Sequence, residues 1–260
     1  MKMILLVLIA VWPLPEAGAQ SSAASSNEHL LRIVRHEVRP SKARLQRAVA
    51  VKQREAFESV RWPVPYKTWF VASGQPEMWF VSTFDSYGSW SRDEQQQDLS
   101  RELRDALDAI ERTHGDIVAR TTTILATLRA DLSFQPAPVL ANEGAVSITI
   151  VRTKPGHAAD YAAERRIIKD AHEKAGTKER YSVYQVSSGL PAGTFLLVIP
   201  YKNLGELDDV PMIHGAPYEA ALGDEGRTRS RELIASATVD SETLLLVVDP
   251  HASYAAQARK

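Results

Sequence analysis

The chain has 260 residues, and its 31 Lys and Arg against 32 Asp and Glu leave a formal net charge of −1. Charges of both signs are interspersed, which argues against a nucleic-acid-binding face and against an electrostatic grip on a membrane. Cysteine is absent, so no disulfide, thiolate nucleophile or lipidated cysteine is available; stability must come from buried apolar surface, which 44% hydrophobic residues can supply.

Residues 1–19 read as a secretory leader. Lys2 supplies the positive start, residues 3–12 the apolar core, and Ala17-Gly18-Ala19 a small-residue cleavage site. An apolar run of that length falls short of the ~20 residues that a membrane-spanning helix needs. The expectation is an exported chain, periplasmic or secreted, without a membrane anchor after cleavage. Residues 20–29 would then form a flexible N-terminal segment.

The first alternating stretch, LLRIVRHEV, predicts a strand, and Pro40 ends it. A helix is predicted next, with Leu45, Val49, Ala56 and Val60 at helical spacing. Two strands follow as a hairpin around Ser73-Gly74-Gln75-Pro76. A long amphipathic helix comes after them, on which Leu99, Leu103, Leu107, Ile110 and Ile117 share a face. A strand over 123–129 closes this unit, 30–134. Residues 135–144 read as a linker.

The same order returns over 145–254. Val146, Ile148 and Ile150 alternate with polar residues; Pro155-Gly156 breaks the strand; and 157–175 predicts a helix with Tyr161, Ile168, Ala171 and Ala175 on one stripe. Strands over 181–186 and 194–201 flank Ser188-Gly189-Leu190-Pro191. A second helix and a strand over 243–248 complete the unit, and 255–260 form a tail. Laid over each other at an offset of 115, residues 31–77 and 146–192 share eleven identities in 47 pairs. About three would arise by chance, so the chain carries an internal repeat. The identities include Pro40/Pro155, Tyr66/Tyr181, Gly74/Gly189 and Pro76/Pro191. A further match, TILATLRADLSF against TLLLVVDPHASY, lies at offset 120.

Each unit therefore reads β-α-β-β-α-β, the ferredoxin-like order. Such a sheet carries both helices on one face and leaves the other bare, and a second copy is an economical cover. The expected fold class is α+β: two tandem ferredoxin-like units packed sheet to sheet. This order, the V-R-P-S and T-K-P-G starts of the first helices and the repeated hairpin phrase resemble the dimeric α/β-barrel superfamily. The tandem-repeat layout is most similar to NIPSNAP-like and antibiotic-biosynthesis-monooxygenase-like domains. The resemblance implies a barrel with an internal cavity. It also brings in chlorite-dismutase-like haem proteins, and so a possible haem cofactor. Fold likeness on its own carries little functional information.

No G-x-S-x-G, H-E-x-x-H, G-x-G-x-x-G, P-loop or EF-hand pattern occurs. The aromatic residues of the first unit, Trp62, Tyr66, Trp69, Trp79 and Trp90, are the most distinctive feature. Tyr66, Trp69 and Trp79, with Tyr184 of the second unit, are expected to form an apolar wall for a ligand, or else to be core. If Leu31 and Ile33 face the helices, then Arg32, Val34 and His36 face the barrel; Arg32 and His36 are then candidate catalytic groups, or else groups solvated at a wet rim. His114, on the stripe of the second helix, is a candidate haem ligand or a core histidine. His172 and His214 draw the same two readings, while His157 and His251 look like surface turn residues. No histidines have metal-ligand spacing, so no metal site is expected. Asp85, Asp131 and Asp249 are expected to make turn-type backbone bonds.

Two functions are compatible with these residues. One is an exported protein, monomer or homodimer, that binds a small apolar or aromatic molecule between its sheets. The other is a monooxygenase-like or haem-dependent enzyme using the same cavity.

Overall fold

The computed structural model describes residues 29–141, 143–209 and 215–256. The expected leader, residues 20–28, His214 and residues 257–260 lie outside the described residues. The first unit contains β1 (Leu30–Val38), α1 (Ala43–Ser59), β2 (Lys67–Val71), β3 (Glu77–Phe84), α2 (Tyr87–Leu99), α3 (Arg101–Glu111) and β4 (Val118–Leu128). The second contains β5 (Ala145–Thr153), α4 (Ala158–Ala175), β6 (Ser182–Ser188), β7 (Thr194–Tyr201), α5 (Ala216–Ala237) and β8 (Thr238–Val248).

All eight strands join one closed barrel in the order β1-β3-β2-β8-β5-β7-β6-β4. Within each unit the ladder is ferredoxin-like and antiparallel. Between units, β2 pairs with β8 and β4 with β6, so each half closes the other's open edges. The two sheets thus meet through edge hydrogen bonds as well as through their bare faces.

The repeated phrase marks these joints. Gly189 adopts φ +91°, and a Cβ there would collide with the carbonyl of Thr123 on β4. Gly74 adopts φ +116° at the matching hairpin. The glycines of the two turns meet a backbone requirement that other residues satisfy poorly.

The second helix of the first unit departs from the expected single rod. Ser100 takes an extended backbone (φ −77°, ψ 95°) and divides it into α2 and α3. This rotates Leu99 off the stripe; it is 83% exposed, whereas Leu103 is fully buried. His114 opens a one-turn 3-10 segment, His114–Asp116, after α3, rather than sitting within a helix. Ile117 is buried just beyond it.

An eight-stranded barrel has an interior about as wide as its own side chains can fill. Leu31, Ile33, Trp79, Val81 and Ile124 of the first unit pack there against Ile148, Tyr184, Leu196 and Leu246 of the second. Val139 of the linker packs against this core. Each helix layer covers the outer face of its own sheet and encloses its own cluster.

Candidate functional site

The inward and outward faces of β1 are the reverse of the sequence expectation. Leu31 and Ile33 point into the barrel, and Arg32, Val34 and His36 point toward the helices. Both faces of this sheet are covered, so alternation identified two faces without saying which was which. The barrel interior is the drier space and takes the purely apolar set.

Trp69 and Trp79 do point inward, as a directly opposed cross-strand pair, but they occupy the interior instead of walling an open space. Trp79 is completely buried and Trp69 is 2% exposed. Tyr184 is part of the same core. The expected inter-sheet ligand wall is therefore packed core, for a volumetric reason: two indoles and their neighbours fill a barrel of this size. At one end Arg35 closes the barrel. Its guanidinium donates to both oxygens of Glu77 (2.7 and 2.6 Å), and Trp79 Nε1 donates to the same carboxylate (2.8 Å).

The space for a ligand lies on the other side of the first sheet. A pocket of about 360 Å³ opens between β1, β3 and β4 and the helices α1, α2 and α3, within the range of small-molecule sites. Phe57, Trp62, Tyr66 and Phe80 form its aromatic wall, and Tyr66 is the one residue of the expected wall that takes part. Arg32, His36 and His114 face the same pocket, so the structure brings together three residues singled out in sequence. Asp93, Ser82 and Gln53 line it too, without any sequence signal. In the second unit the positions matching His36, Phe57 and Tyr66, at the same offset of 115, hold Val151, His172 and Tyr181, all buried.

The His36 ring lies edge-on to Phe80 and to His114, with centroids 5.2 Å away in each case. Its Nδ1 is 3.1 Å from Nε2 of the fully buried Gln46. Burial, assisted by the neighbouring His114, pushes His36 down to about 4. Burial also lowers His114, against the pull of Glu111. Both imidazoles are thus held neutral near pH 7, and with Nδ1 accepting from Gln46 the His36 ring keeps its hydrogen on Nε2 as a donor.

Asp93 accepts from Trp62 Nε1 and from Gln97, both at 2.8 Å, and burial raises its pKa despite these donors. Arg32 reaches Glu94 at 3.1 Å, while its buried Nε has no hydrogen-bond partner among the described residues.

A haem does not fit His114 as it stands. Its Nε2 is sealed from the cavity and has no hydrogen-bond partner among the described residues, and the ring packs against His36. An iron at that nitrogen would require the ring to move. Among the described residues no group of three or more His, Cys, Asp or Glu could hold a metal ion.

The other titratable residues have structural partners. His172 is buried, with Nδ1 2.8 Å from Thr177 Oγ1 and Nε2 2.9 Å from Glu179. His157 pairs with Asp160 at 2.8 Å, and His251 is an exposed turn residue. Asp131 ties Arg129 to Arg166 of α4, and those guanidinium groups hold it down at about 2. Its partners are side chains and not the expected backbone groups. Asp249 Oδ1 does accept from the backbone, at His251 N, 3.0 Å away.

No family model and no curated sequence matches this chain. Solved structures do. A candidate monooxygenase of Fusobacterium nucleatum matches at 11% identity with a TM-score of 0.54, over 84% of this chain and 91% of its own. One from Lactobacillus acidophilus matches at 8% identity and 0.52, over 84% and 93%. An anthrone oxidase-like protein matches at 10% and 0.54, over 86% and 92%. The fold is that of the dimeric α/β barrels. At such identities the likeness speaks for architecture and is silent on chemistry. The dimeric α/β-barrel form is here made by one chain, both halves of the ring coming from the tandem repeat.

Proposed function

We propose that this chain is an exported binding protein for a small aromatic molecule, held in the pocket between the first sheet and its helices. The observation that carries this reading is the asymmetry between the two repeats. The first keeps a partly polar pocket with an aromatic wall, whereas in the second His172, at the position of Phe57, is packed among Phe134, Tyr181 and Tyr218. A packed core needs no such space, since native interiors leave few voids larger than a water molecule.

The test is fluorescence titration with 1,8-dihydroxyanthraquinone, a planar aromatic. Saturable quenching is expected in the parent protein, and it should be lost in Ser82→Phe, which places a ring in the pocket. Quenching that persists unchanged in Ser82→Phe would overturn the assignment. Export is checked by sequencing the N-terminus of the protein recovered from its host, which should begin at Gln20.

A second reading is favoured by the neutral His36. An anthrone-type substrate could release a proton to water, with His36 Nε2–H hydrogen-bonding the resulting anion, which then passes electrons to dioxygen to give a quinone and water. The names of the structural neighbours are consistent with oxidation of this kind. Dioxygen uptake with 1,8-dihydroxyanthrone should then exceed the protein-free rate and fall in His36→Gln. Uptake at the protein-free rate leaves the binding role alone.

A further inference from the structure

The geometry points to a second binding site at the barrel mouth, built for a small molecule with an apolar body and a carboxamide head. A groove of about 580 Å³ runs where the linker crosses that mouth, and Tyr66, Val248, Pro250 and Tyr254 supply its apolar lining. A narrow crevice continues from it toward Trp69, Val146 and Val198 at the end of the barrel core. Lys67 and Glu143 are the polar residues common to groove and crevice.

Their hydrogen bonds are incomplete. The Lys67 ammonium donates to the Ala141 carbonyl, and an ammonium has three donors. Glu143 Oε1 accepts from Arg180 at 3.2 Å, whereas its Oε2 has no hydrogen-bond partner among the described residues and is sealed while the groove is empty. No direct ion pair joins Lys67 to Glu143 among the described residues. Lys67 therefore offers the groove a donor, and Glu143, which lines it too, offers an acceptor once its side chain turns Oε2 toward a ligand.

The backbone holds this arrangement in place. Val248 N donates to the Gly144 carbonyl at 3.0 Å, and Gly144 N donates to the carbonyls of Tyr201 and Lys202 at 3.0 Å each. Glu143 is thus anchored beside a strand of the barrel. Leaving a buried carboxylate oxygen unsatisfied is costly, and a ligand N–H would satisfy it. A carboxamide carries that N–H next to a carbonyl oxygen that Lys67 can bond. A carboxylate head would set its attraction to Lys67 against repulsion from Glu143, and an ammonium head the reverse, whereas a carboxamide meets both residues without a like charge.

The probes are octanamide, octanoate and octylamine, titrated into the full chain by calorimetry. Octanamide should bind with one-to-one stoichiometry, and the two charged analogues at least about tenfold more weakly. Lys67→Met should weaken octanamide by at least about tenfold. Ala255→Trp, at an exposed position lining the groove, should block it without touching the core. Glu143→Gln should remove the discrimination against octanoate. Ser82→Phe, blocked in the first-unit pocket, should bind octanamide as the parent does, so failure there and failure of the functional proposal are separable. Equal binding of octanoate and octanamide by the parent protein overturns the proposal. So does the absence of saturable octanamide binding, or binding indifferent to Ala255→Trp.

Discussion

Tyr66 and Tyr254 exchange both backbone hydrogen bonds across the two repeats, at 3.0 and 2.9 Å. Phe134 and Tyr181 make the matching exchange, at 3.1 and 2.9 Å. Offsets of 115 and 120 superpose these pairs, and neighbouring contacts repeat with them. Thr68 N bonds Ser253 Oγ, and Val183 N bonds Ser133 Oγ, each at 2.9 Å. The end of each unit therefore crosses over to pack on the other.

Tyr254 is consequently a structural clamp. It is 4% exposed, its hydroxyl donates to the Trp62 carbonyl at 2.6 Å, and its ring meets Phe57 and Tyr66. Tyr254→Ala should cost about 3–5 kcal/mol, the range for deleting a large buried aromatic. Urea denaturation with a single transition for both halves should report it. A loss below about 1 kcal/mol would argue against the clamp.

Arg35 and Glu77 form a buried pair at the barrel end, with side chains 12% and 6% exposed. Arg35→Met should destabilise by about 3–5 kcal/mol because it strands a carboxylate whose remaining donor is Trp79 Nε1. Arg35→Met combined with Glu77→Gln should recover much of that loss. The comparison is of midpoints in guanidinium titrations.

Trp79 separates core from site. Trp79→Leu should lower stability by about 2–4 kcal/mol through the cavity it leaves in the barrel. Affinity for 1,8-dihydroxyanthraquinone should change by less than about twofold, since the indole lies in the barrel, on the opposite face of the sheet from the pocket. Loss of binding with retained stability would return the ligand to the barrel interior.

His36 should make the fold sensitive to mild acid. The unfolded imidazole takes its proton near 6.5 and the folded one at about 4. Between these values the unfolded state binds more protons, so stability is complete above about pH 6.5 and is lost as pH falls toward 4. The loss ascribable to this residue is roughly 3 kcal/mol. His114 acts in the same direction. Chemical denaturation at pH 7.5 and 4.5 should show a smaller difference in His36→Gln than in the parent.

Much of the architecture was legible in the chain because backbone demands are local. Gly74 and Gly189 stand where φ is positive, the hairpin strands alternate, and Pro40 and Pro155 mark matching strand ends. The same locality explains the failures. Nothing in the stripe from Leu99 to Ile117 announces the extended backbone of Ser100 that breaks it. Alternation in LLRIVRHEV exposes two faces but carries no label for inside, because helices cover one face and the barrel the other.

The amino-acid order alone settled the repeat, the β-α-β-β-α-β order apart from the break at Ser100, and the need for a partner surface, since periodicity and turn chemistry are written in neighbouring residues. Closure of the eight strands decided the rest. It filled the barrel with Trp69, Trp79 and Tyr184 and turned His36 outward to meet His114. It also left the open space beneath one helix layer. Those outcomes depend on volumes and on residues far apart in the chain, quantities that exist only once the two halves have met.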